Sequence, residues 1–259
     1  ADFVGKDKII GELPLLDNIN DPKDKLFVNI SEELLNKTIY EISHTFGEDK
    51  SISIISSKKN VGKTEISKKI FEKLKINHKV CLIDLDYRKK GLTQELSLKN
   101  DFADFQSFNS EKENYFDNSG NLIIPSFEVD SPPDFFTSES FISEIIKLKE
   151  EFDYIICDTP PWDLFVDSKI ISKVFQNHIY IVCNQISTFK DINAFLEEIP
   201  SSENVKFFFN KFTLYLNFFW YRYQYPLYSR NYYDDYMSYS NLRKNLTIRS
   251  YLLDSLSKL

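Results

Sequence analysis

Ser57-Lys58-Lys59-Asn60-Val61-Gly62-Lys63-Thr64 sets a glycine, an ammonium and a hydroxyl at the spacing that grips a polyphosphate. The run follows G-x-x-x-x-G-K-[ST], with Ser57 where the first glycine usually stands. In such a loop the backbone N–H groups and the start of the following helix form an electropositive cradle for phosphate oxygens. Gly62 lets the backbone approach closely, Lys63 reaches the β- and γ-phosphates, and the Thr64 hydroxyl serves a Mg2+ ion. The expected nucleotide-contacting set is Lys58, Asn60, Val61, Gly62, Lys63, Thr64 and Glu65.

Two further runs supply carboxylates. Leu82-Ile83-Asp84-Leu85-Asp86-Tyr87-Arg88 is an apolar stretch ending in D-x-D-x-R, and residues two apart on a strand face the same way. Paired carboxylates beside Mg2+ and phosphate suit metal organisation and general-base work on a hydroxyl, with Asp84 and Asp86 in those roles. Tyr154-Ile155-Ile156-Cys157-Asp158-Thr159-Pro160-Pro161 ends an apolar strand in Asp158, the position that holds the Mg2+ shell in phosphate-transferring sites. The expected metal set is Thr64, Asp84 and Asp158, and the expected cofactors are ATP and Mg2+.

The elements that must position these groups alternate. Short apolar runs at Ser51–Ile55, Lys79–Asp84, Asn121–Pro125, Tyr154–Asp158, His178–Cys183 and Val205–Phe209 read as strands. Between and before them, Ser31–Ser43, Thr64–Leu74, Ser140–Phe152, Asp167–Phe175 and Asp191–Glu198 carry helical spacing, with Ser31 as an N-cap. Wholly apolar strands alternating with amphipathic helices predict an α/β fold with a doubly wound, mainly parallel sheet. Ligands of such a sheet sit at the carboxyl ends of its strands. The expected organisation is an irregular lead-in over 1–30, a P-loop ATPase or kinase domain over 31–212, a Tyr-rich segment over 213–240 and a C-terminal helix over 241–259. Residues 97–120 read as a mobile polar loop.

Composition limits the alternatives. The 259 residues carry a net charge of −7, which argues against general nucleic-acid binding. No run of about 18 apolar residues occurs. Three scattered cysteines suggest neither a disulfide framework nor a zinc site. Aromatic content reaches 15%, and nine tyrosines fall between Tyr215 and Tyr239.

These motifs resemble the deviant Walker A ATPases, in which Lys58 would be the signature lysine. Within that group LIDLDYRKKGLTQEL (82–96), NLIIPSFEVDSPPDFF (121–136), the EFDYIICDTPPW…VDSKII stretch (151–171) and VKFFFNK (205–211) resemble the bacterial tyrosine kinases of capsule and exopolysaccharide export. The resemblance implies that Lys63, Asp84 and Asp86 are catalytic and that Asn210 contacts adenine. It also implies trans-autophosphorylation between copies, and a cytoplasmic location at the membrane through a chain-length regulator, fused or separate. The family's E-x-x-R-x-x-R helix is not kept: counted from Glu33, its arginine positions hold Asn36 and Ile39. That argues against ring assembly through that contact.

The tyrosine segment is read as a set of phosphoacceptors, chiefly Tyr228, Tyr232, Tyr233, Tyr236 and Tyr239, whose polar neighbours suggest exposure. Packed aromatics and a membrane-surface belt remain alternatives for it. For the chain as a whole, a partition- or septum-site-type switch ATPase and a degenerate nucleotide-binding assembly module are the competing readings.

Overall fold

The computed structural model describes residues 8–14, 22–184, 186–200 and 202–212. Seven strands, all parallel, form one sheet: β1 (Ile9–Pro14), β2 (Ser51–Ile55), β3 (Val80–Asp84), β4 (Leu122–Ile124), β5 (Tyr154–Asp158), β6 (Asn177–Cys183) and β7 (Val205–Phe212). Their spatial order is β1-β7-β6-β2-β5-β3-β4. Strands β2, β3 and β5 are buried at every position, as covering both faces of a sheet with helices requires. The helices are α1 (Pro22–Thr45), α2 (Lys63–Leu74), α3 (Gly91–Glu95), α4 (Phe105–Asn109), α5 (Pro132–Thr137), α6 (Glu139–Glu151), α7 (Val166–Val174) and α8 (Phe189–Glu198). This is the doubly wound α/β fold that the alternation predicts.

Three expectations change. The lead-in is not irregular: β1 pairs with β7 and closes that side of the sheet. Glycine makes this possible at Gly11, where a Cβ would collide with the Thr38 hydroxyl of α1 and the ring of Phe208. Ser31 does not cap a helix, because α1 already begins at Pro22. Proline suits a first helical turn, where its missing N–H is no loss. Residues 97–120 are not a loose loop. Asp104 and Ser107 form a reciprocal capping box at the start of α4. Phe102, Phe105 and Phe108 pack with Phe127, Phe135, Phe136 and Phe141 into the core on that face. Three phenylalanines at spacing three, scattered among polar residues, carry this segment inward.

The opposite core joins α1 and α2 to the sheet through Ile42, Ile66, Ile70 and Leu74. A third cluster seats Phe195 of α8 against Tyr180, Trp162 and Phe207. The three cysteines are free and buried. No helix among the described residues is long and apolar enough to cross a membrane. The tyrosine segment and the C-terminal helix expected over 241–259 lie outside the described residues.

His178 of β6 is buried, with its Nδ1 2.7 Å from the Ser53 hydroxyl of β2. Burial depresses its pKa to about 4, because a charged ring there would lose its hydration. Unfolded, the same ring titrates near 6.5. Between those values the unfolded chain binds the extra proton, so stability falls as pH drops through this window and levels off below it. The expected loss is about 3 kcal/mol. Urea titrations of wild type and His178→Gln at pH 7.5 and pH 4.5 check it: the wild type should lose that much more than the variant.

Candidate active site

Strand β2 lies between β5 and β6, and its carboxyl end runs into the phosphate loop. Ser56 Oγ donates to the Lys58 carbonyl (2.8 Å) and accepts from Lys63 Nζ (2.9 Å), so the buried lysine lies inside its own loop. Asn60 and Gly62 adopt left-handed backbone, with φ of 63° and 96°. Asparagine is among the few side-chain-bearing residues that tolerate this region. Asn60 therefore keeps the loop's curvature where the related pattern has a small glycine. At Gly62 a side chain would be strained and would also strike Asn210. Helix α2 starts at Lys63, which aims its free N–H groups at the loop's centre.

The carboxylates converge from neighbouring strands. In register, Ile54 of β2 faces Asp158 of β5, which faces Asp84 of β3. Thr64 Oγ1 donates to Asp158 Oδ2 at 2.6 Å. The other carboxylate oxygen, Oδ1, is buried without a hydrogen-bond partner. Asp84 is fully engaged: Oδ1 accepts from the Asp86 amide, and Oδ2 accepts from the Thr93 amide (2.9 Å) and hydroxyl (2.7 Å) of α3. Strand β3 ends at Asp84, so strand periodicity does not place Asp86. A turn does: Asp86 Oδ1 accepts from the Lys89 amide, and its carbonyl accepts from the Lys90 amide.

Burial lifts the Asp84 pKa to about 6 against the pull of the Thr93 bonds. Burial, and then the Asp84 charge, also push Asp158 upward, while Thr64 and Lys63 hold it down. Asp86 is raised by burial as well, and burial lowers Lys63 while Asp158 and Asp86 support its charge. Three carboxylates around one lysine form a site short of positive charge. With the orphaned Asp158 Oδ1 and the adjacent Thr64 hydroxyl, this environment fits Mg2+. Among the described residues no three His, Cys, Asp or Glu side chains form a metal cage. Mg2+ usually takes one or two protein groups and fills its shell with phosphate and water. Thr64 and Asp158 would hold it directly. The expected ligand Asp84 also accepts hydrogen bonds from the Asp86 and Thr93 amides and the Thr93 hydroxyl, which fix its orientation at the site.

Other expected residues fall into place differently. Lys58 is held at the loop's outer side by Asp163 (3.3 Å) and Asp191 (3.1 Å), which raise its pKa. Glu65 is exposed on α2. Asn210, at the end of β7, donates from Nδ2 to the Val61 carbonyl at 2.8 Å and is buried against the loop. Sequence reasoning did not find Ser56, which adjoins the loop in the chain, nor Thr93, Asp163, Tyr180 and Asp191, which approach only through tertiary packing. One pairing left a trace in the motifs. Arg88, the arginine of D-x-D-x-R, makes a forked contact with the buried Asp167 (Nε–Oδ2 2.9 Å, Nη2–Oδ1 3.4 Å), tying the β3 turn to the start of α7.

A strand-loop-helix phosphate cradle, with carboxylates at the ends of two neighbouring parallel strands, defines a P-loop nucleotide-binding domain. No protein-family model matches the chain. It is 28% identical over 166 residues to the tyrosine-protein kinase CpsD of Streptococcus agalactiae serotype III, covering 58% of this chain and 68% of that protein. It is 26% identical over 190 residues to the tyrosine-protein kinase CpsD of Streptococcus pneumoniae serotype 4, covering 68% and 81%. Its fold matches the kinase domain of the Escherichia coli tyrosine kinase ETK with a TM-score of 0.64, at 15% identity, over 79% of this chain and 90% of that one. The chain is thus similar in sequence to proteins named as tyrosine-protein kinases, and it shares the fold of a bacterial tyrosine-kinase domain.

Replacing Asp158 by Asn removes one of three crowded carboxylates without changing shape. Without nucleotide, the melting temperature should hold or rise. The Mg2+-dependent gain in ADP affinity should fall at least tenfold, since a charge-assisted contact is lost. Calorimetric titration with ADP, with and without Mg2+, and a thermal melt check both halves.

Proposed function

We propose that this chain transfers the γ-phosphate of Mg-ATP to tyrosine hydroxyls, including those of its own 215–239 segment on a neighbouring copy. The observation that carries the reading is the unsatisfied Asp158 oxygen beside Thr64 and Lys63, with the buried Asp86 supporting the same lysine. The names of the sequence relatives point to tyrosine as the acceptor.

Loop amides and Lys63 would hold the β- and γ-phosphates and offset their charge. Bound Mg2+ would supply Lewis-acid stabilisation of the phosphate oxygens. Asp158 and Thr64 would hold that ion from the protein side. Asp84 fixes the α3 start and the Asp86 amide, and Asp86 takes the proton of the incoming tyrosine hydroxyl as the new P–O bond forms and ADP leaves. With both its oxygens engaged, Asp84 is the weaker candidate for base. Each phosphate would add about −1.5 to −2 of charge near neutral pH. On a chain of net charge −7, several such additions would drive modified segments away from one another. The regulated process would be capsule or exopolysaccharide synthesis and export. The setting would be the cytoplasmic face of the membrane, with a chain-length regulator as activating partner.

Intact mass measured before and after incubation with Mg-ATP tests this. The expected result is stepwise gains of one phosphate mapping to Tyr215–Tyr239, at least a hundredfold slower in Lys63→Met, and slower in Asp86→Asn than in Asp84→Asn. Hydrolysis of ATP without any gain, even with the membrane regulator present, would point to a switch ATPase. Absence of ATP binding would point to an assembly module.

A further inference from the structure

The phosphate loop of this chain has lost the glycine at Ser57, and Lys59-Asn60 stand where the related pattern has small residues. Two side chains from outside the loop grip its ends. At the start, Tyr180 of β6 reaches Ser57 with a hydroxyl–hydroxyl distance of 2.6 Å. Ser57 Oγ also lies 3.3 Å from the Asp191 carbonyl, and in the short contact either hydroxyl can donate. The Ser57 amide in turn donates to the Tyr180 oxygen at 3.3 Å. Both residues are buried, and Tyr180 is wedged between Phe195 and Phe207, which leaves its ring no room to swing. At the far end, Asn210 of β7 donates to the Val61 carbonyl.

We propose that Tyr180 and Asn210 are positioning residues for nucleotide binding: they hold the phosphate loop in its binding shape from outside. Tyr180 acts specifically through the serine that replaces the first glycine. The inference rests on the nucleotide-binding reading of the site, and it adds the residues that preorganise that site. A glycine at position 57 would offer Tyr180 an amide but no hydroxyl, so the tyrosine hydroxyl and Ser57 should be energetically coupled. Residues in one buried hydrogen-bond network show such coupling in double-mutant cycles.

The test is a cycle of Tyr180→Phe and Ser57→Gly in the full chain. Two readouts are used: Mg-ADP dissociation constants, and amide hydrogen exchange of residues 57–62 in the nucleotide-free protein. Tyr180→Phe alone should weaken Mg-ADP binding about tenfold, as loss of a buried hydrogen bond does, and speed exchange across 57–62. In the Ser57→Gly background the same change should alter affinity by less than twofold. In kinase assays the KM for ATP should rise while kcat at saturation is kept. Asn210→Ala should speed exchange at 61–62 and leave residue 57 unchanged. A merely structural tyrosine would lower the melting temperature and leave affinity and loop exchange as they were, which would overturn the proposal. Equal weakening of binding in both backgrounds would overturn it too. If the wild type bound no nucleotide, the functional reading would fall. The exchange data would then still decide whether the two side chains hold the loop.

Discussion

Taking the amino group of a lysine out of water is costly unless opposite charge lies close by, and carboxylates crowded together repel one another. The site is organised around both facts. Lys63 lies buried inside the phosphate loop, with Asp158 and Asp86 supporting its charge and Asp84 next to Asp158. The register of β2, β5 and β3 sets Asp158 and Asp84 at one level, the turn after β3 adds Asp86, and the loop after β2 brings in Lys63. The helices on both faces follow from this arrangement, since a parallel sheet needs crossovers and both its faces need cover. The buried register in turn fixes which residues face the core and which emerge at the rim.

Much of this could be read from the residues. Six of the seven described strands were legible as short, largely apolar runs, and the phosphate loop because chemistry constrains its spacing; β1, whose run carries Gly11, Glu12 and Pro14, was not. Asp158 and Asp84 were legible because a charge closing an apolar run marks a strand end. What escaped was held by contacts with no local signal. Asp86 is placed by the turn through Lys89 and Lys90, beyond any strand periodicity. Thr93 reads as an ordinary helix residue until it meets Asp84. The Phe102, Phe105 and Phe108 segment looked polar because its three core residues are diluted by Asn, Ser and Asp.

Lys58 and Asn210 show how a motif position can be kept while its partners differ. Lys58 stands at the position of a signature lysine, yet Asp163 and Asp191 of the same chain occupy its ammonium. Asn210, expected beside the adenine, has its amide on the Val61 carbonyl of the loop. Position in a motif brings a side chain to the site, and the surrounding carboxylates and carbonyls decide what it does there.

Among the described residues, the two outer strands of the sheet have a consequence for assembly. Strand β4 has three residues, and β1 meets its neighbour with two register irregularities and ends in a proline. Short, kinked or proline-bearing margins are poor templates for adding another chain's backbone. Contacts between copies of this chain would therefore use side chains on helices and loops. Such contacts can form and part repeatedly without the risk of growing into a continuous sheet.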